Sequence, residues 1–134
     1  IGEVWRALQA TGKPYVIENV KGAWRDMVNP LTLRGNMFGL QVIRDRLFEV
    51  EPFILANPPP PVTGSTGSHR GPSRLDAGGY ITVTGHNFLV SEARVAMGID
   101  WMTGKELAQA IPPANTQWIG QQLMSVCFDR EAAA

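Results

Sequence analysis

Pro14-Tyr15-Val16-Ile17-Glu18-Asn19-Val20 is the stretch on which the reading of the fold turns. Tyr15, Val16, Ile17 and Val20 favour extended backbone, and the run lies between Gly12-Lys13-Pro14 and Lys21-Gly22. Apolar residues on both faces predict a buried strand of a parallel sheet, with Glu18 and Asn19 delivered at its carboxyl end. That end is where open α/β sheets gather ligands, so a carboxylate and an amide there are candidate site groups. The plain alternative is a strand running out into an ordinary polar turn.

Upstream, Val4, Trp5 and Leu8 share one face of a helix over residues 2–11, with Gly12 as its stop and Pro14 beyond. Helix followed by strand is half of a βαβ unit, whose first strand would lie before Ile1. The chain opens at Ile1 without Met, inside that helix, and is therefore expected to be the carboxyl part of a longer protein.

Downstream, Lys21 to Gly35 is irregular, with a brief strand expected at Leu31-Thr32-Leu33. From Arg44 to Glu49 charged and apolar residues alternate, which places Arg44, Arg46 and Phe48 on one side of a second strand. Two arginines on one face are costly to bury without anionic partners. Taken alone, the pattern favours an exposed face, or an internal pair with Asp45 or Glu49.

Residues 57–79 change character. Four prolines at 58–61 lead into a Gly, Ser and Thr tract holding His69, Arg70 and Arg74, with no acidic residue between Glu51 and Asp76. A flexible loop suited to phosphate is expected there, against the alternative of a solvated linker. Tyr80-Ile81-Thr82-Val83-Thr84 reads as a strand, Ser91 as the N-cap of a helix closed by Gly98, and Thr103-Gly104-Lys105-Glu106 as a capping box opening a helix through Ala110. Pro112-Pro113 starts the last helix, with Trp118, Ile119, Leu123 and Val126 as its stripe.

Composition bounds the function. Acidic and basic residues balance at twelve each, so no global field draws the chain to nucleic acid or membrane. Nine of the twelve basic residues are Arg, which suits forked contacts to phosphate, carboxylate or base edges. The single cysteine, Cys127, excludes an internal disulfide framework and is expected to be packed and inert. His69 and His86 lack companions at ligand spacing, so no metal is expected. With no long apolar run and no signal peptide, a cytoplasmic setting is the default.

Three segments, in order, resemble the carboxyl half of DNA cytosine-5 methyltransferases of the compact phage and actinobacterial type. They are Ile17-Glu18-Asn19-Val20, then Arg44-Asp45-Arg46 preceded by Met37-Phe38-Gly39-Leu40, then Glu106 to Pro113. Thr84 to Phe88 and Gly98 to Met102 also resemble phage members, so the likeness runs over nearly the whole chain. It implies an α/β chain forming part of a Rossmann-like S-adenosylmethionine-dependent fold, with a catalytic part over residues 1–56. A short target-recognition loop over 57–79 and a closing segment over 80–134 would complete it.

The implied reaction is methyl transfer from S-adenosylmethionine to carbon 5 of a flipped cytosine in double-stranded DNA. By that resemblance Glu18 stabilises the ring nitrogen and exocyclic amine, Asn19 fixes the neighbouring backbone, and Arg46 donates to the cytosine carbonyl oxygen. Arg44 would support the pocket or a phosphate, Gln109 would touch the cofactor, and Arg70 and Arg74 would contact the DNA backbone. The family's Pro-Cys nucleophile loop and Gly-rich cofactor motif have no counterpart in these 134 residues, and Ala108-Gln109 stands in place of its usual Gly-Asn. Gln41 lies one residue further from Arg44 than in the family's pattern, and the recognition stretch is short. The missing amino-terminal part, or a complementary subunit, would then be a partner. The alternatives are a non-catalytic DNA-binding remnant and one subunit of a split methyltransferase.

Overall fold

The computed structural model describes residues 2–51, 56–64, 66, 75–76 and 78–132, with side chains through residue 128. The chain is a mixed α/β protein of two compact units. The first is built from residues 1–33, 45–58 and 118–134, the second from 34–44 and 59–117.

The first unit holds a three-stranded sheet of β1 (Tyr15–Val20), β2 (Leu31–Leu33) and β3 (Arg46–Glu51), in the order β1-β3-β2. Both pairings are antiparallel, which corrects the expected parallel strand. A parallel return needs a crossover of a dozen residues or more, usually a helix. Between β1 and β3 the chain forms only two short 3-10 helices, Lys21–Asp26 and Gly35–Phe38, besides β2.

The register sets Val20 opposite Arg46, Glu18 opposite Phe48 and Ile17 opposite Glu49. Side chains alternate along each strand, so Glu18, Val20, Arg46 and Phe48 share one face while Tyr15, Ile17, Leu47 and Glu49 share the other. β1 is therefore not apolar on both sides. Tyr15, Ile17 and Leu47 form a core with Met27, against which Trp5, Leu8 and Ala23 pack. Helix α1 (Gly2–Ala10) thus packs through Trp5 and Leu8, whereas Val4, expected on the same stripe, is 55% exposed.

Glu49 is buried on the packed face, and its Oε2 accepts the Val28 N–H at 2.7 Å. Asn29 follows in a left-handed conformation (φ 46°), so this carboxylate anchors the turn that leads into β2. Glu49 also bears on Tyr15. Burial first, then the charges of Glu49 and Glu51, push the Tyr15 phenol above its ordinary pKa of 10.0, while Trp5 pulls weakly the other way. The Trp5 contact is not an aligned hydrogen bond, since the Tyr15 hydroxyl has no such partner.

A group with a raised folded-state pKa contributes stability that is complete below the unfolded value and is lost as pH climbs through the folded value. Stability is therefore expected to fall with pH above about 10 through Tyr15. Tyr15→Phe should remove that slope while leaving neutral-pH stability within about 1 kcal/mol, because the hydroxyl it deletes is a buried orphan. Urea midpoints from pH 7 upward provide the check, and an unchanged alkaline slope counts against it.

The second unit has a core of Val42, Ile81, Val83, Ala93, Ala96, Met97, Ile99 and Leu107. Tyr80 to Thr84 is not the strand its pattern predicts. Ile81 makes one parallel bridge to Val42, Tyr80 one to Thr66, and no ladder follows among the described residues. The carbonyl of Val83 accepts from the Arg44 side chain instead, so a guanidinium replaces a neighbouring strand.

Helix α2 (Val90–Met97) starts one residue before the expected Ser91 cap. Leu89 is its N-cap, in extended backbone and with no side-chain cap bond. Gly98 closes it in the left-handed conformation (φ 66°), as the sequence predicts. The Thr103 capping box forms, with Glu106 accepting from the Thr103 N–H at 2.7 Å, and this bond first holds the Glu106 carboxyl below its ordinary range. Helix α3 ends at Leu107 rather than Ala110.

Helix α4 (Pro113–Ala132) begins at the second proline. Ile119 is buried, Trp118, Leu123, Val126 and Cys127 are half-buried, and Phe128 is exposed. No helix among the described residues is long and apolar enough to cross a membrane.

Candidate functional site

Glu18 sits on β1 and Arg46 opens β3, two register steps apart on one face. Diagonal neighbours of this kind lie within reach of long side chains. Arg46 Nε lies 2.9 Å from Glu18 Oε1, with side-chain exposures of 10% and 30%. The distance makes an ion pair, but the N–H is not aimed at the oxygen, and neither atom has an aligned hydrogen-bond partner. Both charges are thus held together while keeping unmet hydrogen-bonding capacity, unlike a closed structural bridge.

The expected exposed face is corrected here: Arg44 and Arg46 are both buried, and the ion partner of Arg46 is Glu18 of the neighbouring strand. Asp45 instead meets Lys21 at 3.3 Å, and Glu49 is engaged with Val28. Pattern placed Arg46 and Phe48 on one face correctly. It could not show which residue of the neighbouring strand lies within reach, because that depends on the register.

Asn19 points its Oδ1 back to the Val20 N–H at 2.8 Å, which stiffens the backbone where β1 enters the first 3-10 helix. Lys21 follows at once, and its pair with Asp45 ties this exit to the residue before Arg46. Arg44 belongs to the second unit. Its guanidinium donates to the carbonyls of Val83 and, at 2.5 Å, Ala108. The Arg-x-Arg pair is thereby divided: Arg46 faces a carboxylate, while Arg44 fastens residues 83 and 108 of its own unit.

Gln41, noted in the sequence only for its spacing from Arg44, and Asn36, which sequence reasoning passed over, hold that unit's loops. Gln41 donates to the Leu75 carbonyl at 2.9 Å, and the buried Asn36 donates to the Val62 carbonyl at 2.8 Å. Gly35 lies so close to Val42 that an added Cβ would sit 2.4 Å from its Cγ1. The one available signal was the density of Gly and Asn around Met37-Phe38-Gly39.

Gln109 is exposed on the turn after α3, and its own N–H is bonded to the Glu106 carbonyl. A single exposed side chain makes no cradle, so the residues present do not by themselves fit S-adenosylmethionine. Arg70 and Arg74 lie outside the described residues, as does His69. Comparison with protein families, with curated proteins and with solved structures finds no match to this chain.

Proposed function

We propose that the chain is the carboxyl part of a cytosine-5 DNA methyltransferase, within a Rossmann-like methyltransferase fold. The observation that carries the reading is the meeting of Glu18 and Arg46 at 2.9 Å, two residues separated by 27 positions of chain and singled out by motif alone. An acid and a guanidinium side by side on one sheet face match two neighbouring acceptors on one edge of a cytosine. The carboxyl group can donate a proton to ring nitrogen 3, and the guanidinium can donate to the adjacent carbonyl oxygen.

Attack at carbon 6 drives negative charge onto that nitrogen and oxygen, so groups already fixed there lower the barrier without reorganising. Asn19 and the Lys21–Asp45 pair position the strand ends that carry them. In this reading Arg44 acts at a distance, by fastening Val83 and Ala108, and touches no base. The nucleophile and the hold on the methyl donor are supplied from outside these residues. Duplex DNA is the substrate, and its target base leaves the stack because the reacting atoms are inaccessible within it.

The test is product identity. The complete protein, given labelled S-adenosylmethionine and duplex DNA, is expected to yield 5-methylcytosine. Methylation of an exocyclic amine overturns the reading, because Glu18 and Arg46 would then be facing the wrong atoms. No methylation at all, with duplex binding retained, favours the non-catalytic remnant.

A further inference from the structure

In the second unit, Gly85, His86, Phe88, Val90, Gly104 and Lys105 line an open depression of about 190 Å³. Among the described residues its ionisable lining is a lysine and a histidine, with no carboxylate. The nearest acid in sequence, Glu106, is engaged by Thr103 through both its N–H and its hydroxyl, at 2.7 and 2.8 Å. Val90, the first residue of α2, forms part of the wall, and no side chain caps that helix end. Phe88 and Val90 add apolar walls, which confine field lines and strengthen a cationic site.

Size decides what kind of anion fits. Whole small-molecule ligands occupy pockets of roughly 300 Å³ or more, so this depression suits a group the size of a single phosphate. Two glycines line it. Gly85 has φ 62°, where a side chain is disfavoured, and a Cβ on Gly104 would press within 2.9 Å of Val90 Cγ2.

We propose that the His86–Lys105 depression docks one phosphodiester of the DNA backbone, apart from the Glu18–Arg46 pair. The inference rests on the methyltransferase reading for its choice of DNA. Lys105 contributes a point charge, His86 an imidazole N–H, and the uncapped start of α2 a favourable dipole end. None of these reads sequence, so the contact orients the duplex and leaves base choice to other residues.

The experiment measures duplex binding by the 134-residue chain across a series of salt concentrations, for wild type, Lys105→Gln and His86→Gln. Losing one phosphate contact should lower the slope of log affinity against log salt by about one, with the same change on unrelated sequences. Melting curves verify that both variants remain folded. In parallel, inorganic phosphate and a dinucleotide are titrated while the His86 ring signals are followed by NMR, with His69 as the other histidine present.

Shifts at His86 with the dinucleotide, together with the reduced slope, are the expected result. An unchanged slope in both variants overturns the proposal. Shifts with inorganic phosphate but no change in the DNA slope also overturn it, by making the depression a free-anion site. If the slope falls while the complete protein forms no 5-methylcytosine, the docking site stands and the catalytic reading fails. The two failures are therefore separable.

Discussion

Glu18→Gln in the complete protein is expected to lower methyl transfer by about 10²–10⁴-fold, the usual contribution of a positioned acid. The amide has nearly the same shape and still reaches a ring nitrogen as a donor, but it cannot release a proton to it. Ground-state affinity for DNA should change little, so the loss falls on turnover rather than on KM. The variant should still fold, because the amide oxygen stays beside the guanidinium, but with some loss of stability, since Arg46 is buried and Glu18 is the anion beside it. Single-turnover methylation, with melting curves run in parallel, is the measurement. Activity within about threefold of wild type would falsify the catalytic role of Glu18.

The second large effect is on stability. Arg44 is 4% exposed and donates to two backbone carbonyls, those of Val83 and Ala108. Arg44→Met keeps much of the aliphatic volume but leaves both oxygens without these donors. Hydrogen bonds from a charged donor are worth about 1.5–3 kcal/mol each, so the expected destabilisation is about 3 kcal/mol or more. That is a large share of the roughly 5–15 kcal/mol typical of a folded protein. It should lower the melting temperature by roughly 10 °C. Arg44→Lys should fall between, since an ammonium on a flexible stem lacks the planar fork that spans two carbonyls. A shift below about 2 °C for Arg44→Met would remove the structural role assigned to this side chain.

These two arginines show how far pattern reading reaches. Alternation alone treats residues 44 and 46 as equals on one strand face. In the structure β3 begins at Arg46, and the boundary between the compact units falls between Arg44 and Asp45. One guanidinium therefore meets a carboxylate while the other replaces a strand beside Val83. Burial reversed the sequence expectation for both, because the partners that make burial tolerable come from β1 and from residues 83 and 108, remote in sequence.

Signals of short range survived folding. The Thr103–Glu106 box, the Gly98 stop, the Pro113 start of α4 and the brief β2 were all legible, since each depends on backbone geometry within a turn or so. The Ser91 cap failed at the same range because Leu89 already provides the extended residue before the helix.

From sequence alone came most of the helices, the strands β1 to β3, the ordered motifs and the two residues, Glu18 and Arg46, on which the proposed chemistry rests. Strand direction, register and the separate duties of Arg44 and Arg46 belong to the tertiary structure. The physical reason is that hydrophobic period and capping are encoded locally. Pairing direction depends on whether a crossover element forms, and the tolerance of a buried charge depends on which distant oxygen is placed within reach of it.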